Sequence, residues 1–97
     1  ELRCARATDD GRFVCAFGGA ASALLVLDKR GRLMNLLAES GEEEGCVFEP
    51  SDLVVEEGAH DTTARIWILD RDGCRVQVFT LEGRCHGSFP GFPLRAQ

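Results

Sequence analysis

A chain of 97 residues, 44% hydrophobic and 28% charged, has the composition of an ordinary globular domain, which points to neither a disordered nor a membrane class. Its size allows one small core, since a domain of this length buries only about 60–70% of its unfolded surface and is marginal by itself. The net charge of −5 sets it against phosphate backbones.

The first predicted strand, Leu2 to Ala7, runs into the turn signal Asp9-Asp10-Gly11. Phe13 to Phe17 ends at Gly18-Gly19, and Leu24 to Leu27 ends at Lys29-Arg30-Gly31, after which a further strand leads to Ser40-Gly41. A second set follows: Ser51 to Glu56, Ile66 to Leu69 and Val76 to Phe79, separated by Glu57-Gly58 and Asp72-Gly73 and closed by Glu82-Gly83 before a last strand. These runs are too short for helices and rich in β-branched and aromatic residues, which fit a pleated surface. Several are apolar at every position, so both faces of each sheet are expected to be covered. The longest mainly apolar run, Ala20 to Leu27 with Ser22 inside it, has 8 residues, against the roughly 20 a membrane helix needs, and no membrane contact is expected.

Sliding the chain by 52 positions lays Arg12 to Leu37 on Ala64 to Phe89 without a gap, with Gly31-Arg32 on Gly83-Arg84 and Val14 to Phe17 on Ile66 to Leu69. Each unit becomes a four-stranded meander, the repeat that builds propeller blades. The expected fold is all-β, two four-stranded antiparallel blades of a β-propeller, a fragment of a larger ring. Residues 1–38 make the first blade, 39–49 an acidic inter-blade loop, 50–90 the second blade, and 91–97 a tail or the start of the next connection.

In the second unit, Pro50-Ser51-Asp52-Leu53-Val54-Val55, Arg65-Ile66-Trp67-Ile68-Leu69-Asp70, Cys74-Arg75-Val76-Gln77-Val78-Phe79 and Leu81-Glu82-Gly83-Arg84 together resemble the NHL repeat. The first unit matches loosely, with Gly18 at the place of Asp70 and Ala23 at that of Arg75. The resemblance implies a propeller like those at the C-terminal ends of tripartite-motif ubiquitin ligases: a non-catalytic protein-interaction module that recognises a partner or ubiquitination target.

Candidate chemistry is sparse. Five cysteines without a Cys-x-x-Cys pair point to reduced thiols and a cytoplasmic compartment rather than a disulfide framework or zinc. Asp70-Arg71-Asp72-Gly73 opens like a calcium loop, but Leu81 occupies the place of its bidentate Glu. His60 and His86 lack a second ligand at matching spacing, so no catalytic residue, metal or cofactor is expected. Trp67, between Ile66 and Ile68, is expected in the inter-blade core.

Charge is divided along the chain. From Leu33 to Ala64 there are nine acidic residues and no Lys or Arg, leaving 11 basic against 7 acidic elsewhere, a split of −9 and +4. In a meander, successive turns alternate between rims. One rim receives residues 18–22, 39–49 and 70–74, and carries Glu42, Glu43 and Glu44 at its tip with only Arg71 and Arg75 as cations. The expected partner-binding residues are therefore Glu42, Glu43, Glu44, Asp70, Arg71 and Arg75, facing a basic protein surface, while the remaining blades cover the sheet faces. Nucleic acid is disfavoured, because phosphate contacts require Lys or Arg. For Asp70 and Arg75 the alternative is a structural pair across their turn. Two further classes stay open: a propeller lyase or hydrolase with its site on other blades, for which the innermost strands offer Asp52 and Glu56, and an RNA-binding NHL propeller.

Overall fold

The computed structural model describes residues 1–71 and 74–90. Eight strands follow one another in chain order: β1 (Leu2–Ala7), β2 (Phe13–Phe17), β3 (Ala23–Leu27), β4 (Leu33–Ala38), β5 (Asp52–Glu56), β6 (Arg65–Asp70), β7 (Arg75–Phe79) and β8 (Cys85–Pro90). They form two antiparallel sheets of four, ordered β1-β2-β3-β4 and β5-β6-β7-β8, each a meander. The fold is all-β, two propeller-like blades, as the turn spacing implies. The tail 91–97 and the Asp72-Gly73 turn lie outside the described residues.

Three hairpins on one rim share a sequence and a geometry. Thr8-Asp9-Asp10-Gly11-Arg12, Asp28-Lys29-Arg30-Gly31-Arg32 and Thr80-Leu81-Glu82-Gly83-Arg84 each bond the first residue's N–H to the fifth residue's carbonyl and the glycine N–H to the first carbonyl. Their glycines sit at φ 90°, 83° and 97°, the left-handed region in which a Cβ is strained. In each turn the first residue's side-chain oxygen accepts a further backbone N–H, from Arg12, from Arg30 and Arg32, and from Glu82 and Arg84.

The blades stack face to face. Val14, Ala16, Leu24 and Val26 of the first blade meet Leu53, Ile66, Ile68 and Phe79 of the second, and Val47 from the connecting loop is buried with them. Strand β1 runs beside β5, so the first strands of the two blades lie together at one end of the wedge.

The gapless repeat is corrected at one strand. Phe17 pairs with Ala23 across a turn of residues 18–22, whereas Asp70 pairs with Arg75 across the shorter 71–74. The offset of 52 therefore holds for β3 and β4 against β7 and β8, but β2 matches β6 at 53. A one-residue slip moves every side chain to the opposite face, and Trp67 thereby corresponds to Val14 and Ile66 to Phe13. Trp67 accordingly does not enter the core between these blades. It lies on the second blade's outer face, 39% exposed, with its indole N–H donating to Glu56.

Within this chain the inner faces cover each other, and the outer faces, which the remaining blades are expected to cover, are open. Leu33 and Leu36 stand exposed on the outer face of the first blade, as do Val54 and Phe89 on that of the second.

Candidate functional site

The connection between the blades, residues 39–51, closes on itself over the rim shared with turn 18–22. Val47 N–H bonds Glu39 carbonyl at 2.9 Å, Gly41 N–H bonds Val47 carbonyl at 3.0 Å, and Cys46 N–H bonds Glu43 carbonyl at 3.0 Å. Glu42, Glu43 and Glu44 occupy the exposed tip. Gly45 turns the chain back at φ 91° and donates its N–H to Gln77 Oε1 at 2.9 Å.

A buried polar brace carries this loop. Asp70 and Arg75, opposite each other on β6 and β7, form an ion pair at 2.7 Å, with Asp70 wholly buried. Asp70 also accepts the N–H groups of Phe48 and Glu49, both at 3.0 Å. Arg75 donates to the carbonyls of Glu42 at 2.6 Å and Cys46 at 3.1 Å. Gln77, buried beside them, donates to Cys46 carbonyl at 2.6 Å. Backbone groups that a loop of this kind cannot pair within itself find partners here, which a buried segment requires.

Of the six residues expected to meet a partner, the structure thus divides them. Glu42, Glu43 and Glu44 are exposed together at the tip, and Arg71 lies beside them, 3.5 Å from Glu42. Asp70 and Arg75 are buried beneath, in the structural pairing that the sequence offered as their alternative. Gln77 was not singled out, although a polar residue flanked by Val76 and Val78 in a strand is the signal that could have found it.

The acidic segment is engaged largely by the first blade. Arg12 grips Asp61 through two bonds of 2.9 Å, Arg6 bonds Asp52 at 2.8 Å, and Arg3 reaches Glu49 at 3.3 Å. Glu57 accepts the N–H of Asp9 at 2.9 Å. The N–H of Gly19 first, then the Arg3 guanidinium, hold Glu49 below the usual carboxylate range. Hydrogen bonds from Arg12 lower Asp61 likewise and, with Thr8, bring Asp10 to about 2. Of the nine acids between Leu33 and Ala64, those left facing outward from the connection are Glu39 and the three at the tip.

Burial pushes the thiols of Cys4, Cys15 and Cys85 up from their ordinary value, so they are not activated nucleophiles. Among the described residues no three His, Cys, Asp or Glu side chains gather as a metal site would require. Nor does any helix long and apolar enough to cross a membrane occur among them. No protein-family model matches the chain, and no curated protein sequence matches it.

Proposed function

We propose that the two blades belong to an NHL-type propeller that serves as a non-catalytic protein-interaction module in the cytoplasm, recognising a basic protein surface or a ubiquitination target through the rim tip Glu42-Glu43-Glu44. The observation that carries this reading is the brace: Asp70, Arg75 and Gln77 fix the backbone from Glu42 to Glu49, so the three acids are presented at a set position. Fixed charge at a rim speeds encounter with an opposite surface without ordering cost at the moment of binding.

The test is association kinetics with a Lys/Arg-rich peptide and with single-stranded RNA, at low and at physiological salt. The peptide is expected to associate faster at low salt, and E42Q/E43Q/E44Q to slow it severalfold with little change in dissociation. An unchanged association rate in the variant, or tighter binding of RNA than of the peptide, overturns the reading.

A further inference from the structure

The two outer faces carry the same cross-strand rows as the two faces already packed together. On the first blade, Arg6-Val14-Val26-Asn35 face the second blade; their counterparts on the second blade are Val54-Trp67-Val78-Gly87, on its outer face. Conversely, Val55-Ile66-Phe79-Cys85 face the first blade, and their counterparts Ala7-Phe13-Leu27-Leu33 lie on the first blade's outer face. The outer face of the second blade is therefore the repeat of one half of the internal interface, and the outer face of the first blade the repeat of the other half.

Their sizes compensate. Inside the chain, Val14 on β2 packs in one cluster with Leu53 and Val55 of the adjacent β5. On the outer faces the small member becomes Trp67, which flanks a groove of about 220 Å³ with Val54 and Val76, while the large members become Ala5 and Ala7. A large side chain on one face thus meets alanines on the other, as close packing demands. Charge follows the same repeat. Arg12 closes the internal interface on Asp61. Arg65 holds the matching position on the second blade, where its described bonds go to the carbonyls of Thr62 and Ala64, and the matching turn of the first blade offers Asp9, beside an Asp10 already held by Arg12.

We propose that a second copy of this chain docks head to tail on the first, its first blade's outer face against the outer face of the second blade, continuing the internal stack. The contact is heterologous, with a different patch on each side, so further copies can add in the same sense, each turned by the rotation that relates the two blades. The inference rests on the blade geometry and is independent of what the acidic tip binds.

Two variants of the full chain test it by sedimentation and by the emission of Trp67. V54E/F89E blocks the second blade's outer face; L33E/L36E blocks that of the first. All four positions are exposed, so folding is retained, and the antiparallel-sheet circular dichroism of each variant checks this. The wild-type chain is expected to self-associate, and each variant alone to be monomeric. Their equimolar mixture is expected to form a heterodimer of twice the monomer mass that grows no further, with Trp67 emission shifted to the blue. Self-association of either variant alone would show a like-to-like contact and overturn the proposal. A wild-type chain that stays monomeric, or a mixture that does, would overturn it equally.

Discussion

Replacing Asp70 by Ala removes the anionic half of a wholly buried ion pair. The guanidinium of Arg75 would then remain in the core with only the carbonyls of Glu42 and Cys46 to face it. Breaking a buried pair by deleting one partner costs about 3–5 kcal/mol. The N–H groups of Phe48 and Glu49 lose their acceptor in the same step, and a buried donor left unsatisfied costs about 1–3 kcal/mol. These contributions overlap, so a total of at least about 4 kcal/mol is expected. A chain of this length has about 5–15 kcal/mol of stability to lose, so the variant should stay folded in water only by the remainder and unfold at a much lower urea concentration. Asp70→Asn, which keeps an amide oxygen for the backbone donors but not the charge, should fall between. Asp70→Leu combined with Arg75→Leu should fail to restore stability, although apolar replacement of an isolated buried pair is often neutral. Here both residues hold loop backbone that leucine cannot satisfy. Urea titration at fixed protein concentration, followed by far-ultraviolet circular dichroism, measures all three. A loss below about 1 kcal/mol for Asp70→Ala, the size of an ordinary substitution, would refute the view that this pair supports the inter-blade loop.

Acid should loosen the contact between blades. Arg12 and Thr8 hold Asp10 at about 2 against an ordinary 3.8, and Asp61 and Glu49 are lowered as well. Because these groups ionise more readily folded than unfolded, their stabilisation is complete above the ordinary carboxylate range and fades as pH falls toward about 2. An acid titration of thermal midpoint showing no decline between those limits would contradict the assignment of these pairs. Gly58→Ala should destabilise by about 1–3 kcal/mol, because a Cβ there would lie 2.5 Å from Thr63 Oγ1 and 2.6 Å from the backbone nitrogen of Ala64. An unchanged thermal midpoint would show that the 57–64 turn yields.

The sequence by itself determined what depends on neighbours along the chain. The strand runs, the Gly turns at Gly11, Gly31 and Gly83, and the division into two meanders follow from local propensity and backbone steric limits, and they appear at the expected positions. The repeat was legible over β3 and β4, where turn lengths in the two units agree. Only the tertiary structure decided the rest. A single residue missing from the β6–β7 turn left the hydrophobic pattern of Ile66 to Leu69 intact, since every position there is apolar, yet it reversed which of them face the core and carried Trp67 outward. Alternation cannot fix a face where no polar residue marks it. The fate of the acidic segment was equally hidden, because Arg3, Arg6 and Arg12 stand 46 to 49 residues from the acids they bind. Composition shows that opposite charges are present in the two units, but which pairs meet is set by the rotation of one sheet on the other.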